Sequence, residues 1–213
     1  TYREAIRLDS SDPHLHNNRG VALNRLGRRA EAGEEYRQAL RLKPDYPDAH
    51  KNLGIVLALQ GNRDEAAREF LAVLTMTPAD AEAANRLGDV LFEQRKYAEA
   101  ADAYRAATLS EPKFADAHRN LGIALACLSR PAEAVEAYRA ALRLMPDDAP
   151  TRNNLGSALL DLGRAEEAAA ECREALRLKP DFAAAHFNLA AALAKLGRID
   201  DAVAEYRTVL RLD

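Results

Sequence analysis

Residues 47–80 read PDAHKNLGIVLALQGNRDEAAREFLAVLTMTPAD, and this stretch decides the fold. Leu53, Val56, Leu57 and Gln60 step by three and four residues, the spacing that puts side chains on one face of a helix. Gly61-Asn62-Arg63 interrupts the pattern as a helix stop. Ala66, Ala67, Phe70, Val73 and Leu74 resume it, and Pro78 ends it. The stretch is therefore helix, short turn, helix, proline-bearing turn. A single hairpin of this size cannot bury its apolar faces, so it needs neighbours on both sides.

The neighbours are copies of itself. Gly20, Gly54, Gly88, Gly122 and Gly156 stand 34 residues apart, with Ala190 in the sixth place. Pro44, Pro78, Pro112, Pro146 and Pro180 keep the same step, as do Ala32, Ala66, Ala100, Ala134, Ala168 and Ala202. A fourth ladder runs through Leu23, Leu57, Leu91, Leu125, Leu159 and Leu193. Four ladders on one period identify a repeat array. The spacing predicts first helices over 14–26, 48–60, 82–94, 116–128, 150–162 and 184–196. Second helices are expected over 30–42, 64–76, 98–109, 132–143, 166–177 and 200–212. The repeating units are 13–46, 47–80, 81–114, 115–148, 149–182 and a shortened 183–213. Residues 1–12 read as the tail of a preceding unit, Tyr2, Ala5 and Leu8 matching Tyr36, Ala39 and Leu42. The Gly and Ala ladders are expected to let the two helices of a hairpin approach closely. Tyr36, Phe70, Tyr104, Tyr138 and Tyr206 are expected to fill the wider gap to the next repeat.

On Leu53-Gly54, Leu57, Ala66, Phe70, Val73 and Pro78 the chain resembles the tetratricopeptide repeat family, over essentially its whole length. The resemblance implies an all-α solenoid of helical hairpins wound into a right-handed superhelix, with the first helices lining a concave groove. It also implies a function in binding proteins or peptides. The departures are modest. The large aromatic usual near the start of each unit is His16, His50, Ala84, His118, Arg152 and His186; Arg19 replaces a leucine, and Cys172 replaces the later aromatic. Ser110 replaces an apolar residue late in the third unit, which predicts a weaker junction between repeats 3 and 4.

Composition removes other classes. The 213 residues carry 30 Lys+Arg against 33 Asp+Glu, so no basic excess is available to neutralise phosphates and nucleic acid is a poor partner. With 48% hydrophobic residues the chain is not a disordered polyelectrolyte. No apolar run approaches the roughly 18 residues of a membrane span, so insertion into a membrane is not expected. Two cysteines, Cys127 and Cys172, form neither a disulfide framework nor a metal motif. A compartment is not legible, and a soluble, cytoplasmic protein is the default expectation.

Nothing suggests catalysis, a cofactor or a metal. The histidines of the 16/50/118/186 column are about one helix-packing distance, 8–10 Å, or more apart. A metal needs ligands at about 2 Å, so the column reads as packing of half-buried rings. Every glycine is isolated, which excludes a phosphate-cradling loop, and no nucleophile–base arrangement is apparent. Cys172 takes an aromatic core place, Cys127 a place on the groove side of its helix, and acids such as Asp147-Asp148 and Glu166-Glu167 sit where they favour a helix dipole.

The strongest functional signal is a column of asparagines, Asn18, Asn52, Asn120, Asn154 and Asn188, interrupted by Arg86. Asparagine inside a helix costs several tenths of a kcal/mol relative to alanine, so its repetition asks for a reason. A carboxamide both donates and accepts, as a peptide group does. Amides about 10 Å apart would meet an extended strand at every third residue, at about 3.3 Å per residue. The alternative is that each asparagine bonds to the neighbouring repeat and only fixes the superhelix. Lys51, Asn85, Asp89 and Arg119 complete the candidate groove residues. The face Glu82, Arg86, Asp89, Glu93 pairs within its helix on one reading and leaves acids free for a basic ligand on the other.

The asparagine column, with the phrases 48–54 and 117–122, is similar to the repeat arm of O-linked N-acetylglucosamine transferases, where such asparagines hold substrate peptides. The clamp by which related domains bind heat-shock protein tails needs Lys, Asn, Asn, Lys and Arg. Asn52 and Arg86 match the third and fifth places, Asn17 and Val21 occupy the first two, and Glu82 reverses a charge. The sequence thus leads to a non-catalytic scaffold that holds an extended peptide through the asparagine column. Two alternatives stand beside it: an array that self-associates end to end through uncapped faces, and the substrate arm of a larger glycosyltransferase. Without a polar cap, Val203, Tyr206, Val209 and Leu210 are expected to be partly exposed, as in a segment of a longer protein.

Overall fold

A computed structural model describes residues 11–212; the tail match at Tyr2, Ala5 and Leu8 lies outside the described residues. The described residues form twelve helices joined by short turns: α1 (Pro13–Arg25), α2 (Arg29–Leu42), α3 (Pro47–Leu59), α4 (Arg63–Met76), α5 (Ala81–Glu93), α6 (Tyr97–Ser110), α7 (Ala115–Cys127), α8 (Pro131–Leu144), α9 (Ala149–Asp161), α10 (Ala165–Leu178), α11 (Ala183–Lys195) and α12 (Ile199–Leu212). First helices begin and end one residue earlier than the apolar spacing predicts. The cause is the first helical turn: Pro13 and Pro47 sit at the very start of α1 and α3, where a missing N–H costs nothing and a fixed φ favours entry.

The chain divides into two compact units, residues 1–110 and 111–213. In the first, α1–α2, α3–α4 and α5–α6 are hairpins, each second helix packs on the next first helix, and α1, α3 and α5 lie side by side. In the second, α7–α8, α9–α10 and α11–α12 repeat that arrangement, with α7, α9 and α11 adjacent. The alanine and leucine ladders are buried throughout.

The glycine ladder has a specific partner. A Cβ at Gly20, Gly88 or Gly122 would stand 2.5 Å from the ring of Tyr36, Tyr104 or Tyr138, and at Gly54 it would stand 2.9 Å from Phe70. The aromatic ring therefore rests edge-on against the glycine of its own hairpin, where the sequence had suggested the gap to the next repeat. Gly156 faces the smaller Cys172, whose Sγ would stand 2.6 Å from an added Cβ. Ala190 breaks the ladder, and its partner Tyr206 is only half-buried, set edge-on to Phe187 at 5.6 Å between ring centres.

Candidate peptide-binding face

The histidine column is built into the hairpins. The Nδ1 atoms of His16, His50 and His186 lie 2.8, 2.6 and 2.5 Å from the carboxylates of Glu35, Glu69 and Glu205 on the second helix of the same hairpin. The Nε2 atoms of His50, His118 and His186 lie 2.8, 3.0 and 3.0 Å from the carbonyls of Pro44, Pro112 and Pro180. Each complete ring thus ties the preceding turn to both helices of its hairpin. Arg152 does the same work, donating to Glu171 at 2.7 Å and to the Pro146 carbonyl at 3.1 Å. The hydrogen bond to Glu69 raises the His50 pKa, burial opposes the rise, and the Pro44 carbonyl adds to it. The expectation of packed, half-buried rings sharpens to hydrogen-bonded staples. Among the described residues no cluster of His, Cys, Asp or Glu is arranged to hold a metal. Cys127 is exposed; Cys172 is buried, and burial pushes its thiol up to about 12.

The asparagine column divides into two kinds. Asn52 donates to Oδ1 of Asn17 at 3.0 Å, and Asn188 donates to Oδ1 of Asn153 at 2.9 Å, in each case the residue at the start of the preceding first helix. Each such bond uses one of two amide hydrogens and leaves the donor's own carbonyl oxygen unspent. Asn18 is exposed and Asn154 half-buried, and neither has a side-chain hydrogen bond among the described residues. Asn120 is half-buried. The link to the neighbouring repeat is thus made by Asn52 and Asn188, each through one amide hydrogen.

Asn17 and Asn153 are not among the groove residues expected from the sequence, where Asn17 enters only as a member of the heat-shock-tail clamp. They stand one place before the column and are buried. Asn85 shares their place and is also buried, so it cannot meet a ligand as expected and is withdrawn from the candidate face. The place alternates: Asn17, Asn85 and Asn153 in odd repeats, Lys51, Arg119 and Phe187 in even ones. The cations are tied to the carboxylate that precedes the next first helix. Lys51 Nζ lies 3.0 Å from Asp80 and 3.3 Å from Glu82; Arg119 pairs with Asp116 at 2.7 Å and faces Asp148 at 3.6 Å. Asp80 also caps α5 by accepting from the Ala83 amide. A search at a period of 68 rather than 34 residues would have found this alternation.

Arg86 holds the ladder place in α5 and is half exposed, its nearest carboxylate, Asp89, being 3.7 Å away. Asp89 accepts from the Tyr104 hydroxyl at 3.0 Å, and burial with this carboxylate holds the Tyr104 phenol far above its ordinary pKa. Glu93 pairs with Arg63 at 2.7 Å. Pairing within α5 thus accounts only for Arg86 and Asp89; Glu82 and Glu93 are neutralised from the preceding repeat.

Models of the tetratricopeptide repeat match residues 51–108, 85–149 and 183–213, and a TPR repeat model matches residues 22–61 and 156–197. The chain belongs to the tetratricopeptide repeat family. No curated protein matches it in sequence. Among solved structures it is similar to YrrB, described as a TPR protein with an unusual peptide-binding site, at 22% identity and a TM-score of 0.79 over 87% of this chain and 95% of that one. It is similar to PilF of Pseudomonas aeruginosa at 21% identity, TM-score 0.75, covering 96% and 92% of the two chains. MamA of Desulfovibrio magneticus RS-1 matches at 25% identity, TM-score 0.73, covering 80% and 96%. These likenesses show the repeat fold. Among the described residues no helix is long and apolar enough to cross a membrane.

Proposed function

We propose that the protein is a non-catalytic peptide-binding scaffold. The adjacent first helices of each unit hold an extended partner segment by its main chain. The observation that carries this reading is the unspent bonding capacity of the asparagine column. Among the described residues Asn18 and Asn154 make no side-chain hydrogen bond, and Asn52 and Asn188 each spend one N–H on a neighbouring repeat. A column of amides at helix-packing distance matches the repeat of an extended chain, and main-chain bonding gives affinity while side-chain pockets give specificity. Arg86, with donors to spare, serves the same purpose in the third repeat.

The test is selection of a random nonapeptide library on wild type and on an N18A/N154A variant. These two asparagines have no partner to lose, so the variant should fold with an unchanged thermal midpoint and retain peptides at least tenfold less well. Equal retention would overturn the reading. A second reading, self-association, has support in the outer face of α12, where Leu210 is 78% and Val203 40% exposed. L210E should then lower the sedimentation coefficient at high concentration; a wild type that sediments identically at all concentrations removes it.

A further inference from the structure

Between α3 and α5 of the first unit lies a pocket of about 180 Å³, on the same side as the ladder. Its floor is Ile55, Ala58, Phe70 and Val90, and its rim is Leu59, Arg86, Asp89 and Glu93. Leu59 is 57% exposed although it borders this apolar floor. Ile55 lies three residues from Asn52, and Asp89 three from Arg86, so the pocket opens directly beside the two groups proposed to hold a main chain.

We infer that this pocket selects one branched aliphatic side chain, leucine or isoleucine in size, from an extended and locally uncharged partner segment. The inference rests on the proposed groove and names the specificity that main-chain bonding cannot supply. Size argues first. Pockets for drug-sized ligands and cofactors are about 300–1,000 Å³, so this one has room for a single side chain. Charge argues second. The two rim carboxylates, Asp89 and Glu93, are each paired with an arginine, Asp89 with Arg86 on the rim and Glu93 with Arg63 outside the lining. An uncharged segment disturbs neither pair, whereas an acidic or basic side chain meets one repelling partner on entry. Spacing argues third. Asn52 and Arg86 stand on adjacent first helices, so a strand bonded to both spans about three residues between them. Strand residues alternate sides, which leaves one intervening side chain to turn down into the floor. The contact buried on entry would also cover Leu59.

The experiment is sequencing of nonapeptides retained from a random library by three folded proteins: wild type, A58L, which fills the floor from a half-buried position, and L59D, which adds charge at an exposed rim position. Wild type should enrich aliphatic residues at one position of the aligned peptides at least tenfold over alanine and over glutamate. A58L and L59D should retain peptides through the asparagine column but lose that enrichment. Peptides retained without an aliphatic preference, or with one that survives both substitutions, overturn the pocket while leaving the groove standing. No retention by wild type overturns both.

Discussion

Repeat 2, made of α3 and α4, and repeat 3, made of α5 and α6, share a frame and little else. Leu57 and Leu91, Ala66 and Ala100, Phe70 and Tyr104 are buried in equivalent places. On the ladder side every place differs. Asn52 becomes Arg86, Ile55 and Leu59 become Asp89 and Glu93, the His50–Glu69 staple becomes Ala84 and Ala103, and Gly61 in the turn becomes Arg95. Core places are fixed because each hairpin offers its neighbours the same surface. Ladder-side places bear less of this load, single bonds such as Asn52–Asn17 apart, so they are freer to carry what distinguishes one repeat from the next.

The largest difference expected between the two concerns the glycines. A Cβ at Gly88 would meet Tyr104 at 2.5 Å, and one at Gly54 would meet Phe70 at 2.9 Å. Phe70 stands farther from the added Cβ and has no hydroxyl to anchor it, but the Tyr104 ring is pinned through its hydroxyl to Asp89. Overpacking costs about 1–3 kcal/mol, and replacing helical glycine by alanine returns about 1 kcal/mol. G88A should therefore lower the urea midpoint clearly, and G54A much less. Equal losses would mean the hydroxyl anchor is irrelevant.

Next comes the ladder place itself. N52A removes the donor to the buried Oδ1 of Asn17. An orphaned buried acceptor costs about 1–3 kcal/mol, and the half-buried position of Asn52 puts the loss near the lower end. R86A breaks only a 3.7 Å pairing at an exposed site, and such surface changes stay within about 0.5 kcal/mol. Thermal denaturation of the two variants checks the ranking. If R86A is the more destabilising, Arg86 is structural and the unspent donors assigned to it are not available to a ligand.

That ranking marks the limit of what the sequence disclosed. The period, the hairpins and the buried ladders follow from Gly54, Leu57, Ala66 and Pro78, because a repeat that packs on copies of itself must write the same residues each time. The asparagine column was legible for the same reason. Its bonds were not. Asn17 and Asn153 lie in a column that changes identity from one repeat to the next, so a 34-residue comparison sees noise where a 68-residue one sees order. The staples were missed differently: the histidines were visible, but Glu35, Glu69 and Glu205 look like ordinary solvated charges until the hairpin closes.

The turns give a smaller effect of opposite sign. Gly61 has φ +82°, and Arg95 holds the equivalent place with φ 60°. A left-handed conformation costs a side-chain-bearing residue about 1–2 kcal/mol, part of which a glycine gives back through its freer unfolded chain, about 0.4–1 kcal/mol. R95G should raise the stability of repeat 3 by about 0.5 kcal/mol, and G61R should lower that of repeat 2 by a similar amount. A destabilised R95G would show that the Arg95 side chain earns its place through contacts that outweigh the strain.

The smallest contrast is in pH. The Glu69 hydrogen bond raises the His50 pKa above the ordinary histidine value of about 6.5, so the folded state binds the proton more tightly than the unfolded state. Stability from this staple is then complete below pH about 6.5 and disappears as pH rises through the higher folded value. Arg37, Arg41 and Glu65 line the same surface hollow as His50, and burial opposes the rise that Glu69 and the Pro44 carbonyl produce. The stability difference between wild type and H50Q should accordingly be greater at pH about 5.5 than at pH about 8.5. Repeat 3 supplies the control: A84Q replaces a residue that cannot titrate, and the stability it loses should be the same at both values. A pH-independent difference for H50Q would mean that His50 holds its hairpin as a neutral hydrogen-bond partner of Glu69 and Pro44, and that its charge contributes nothing.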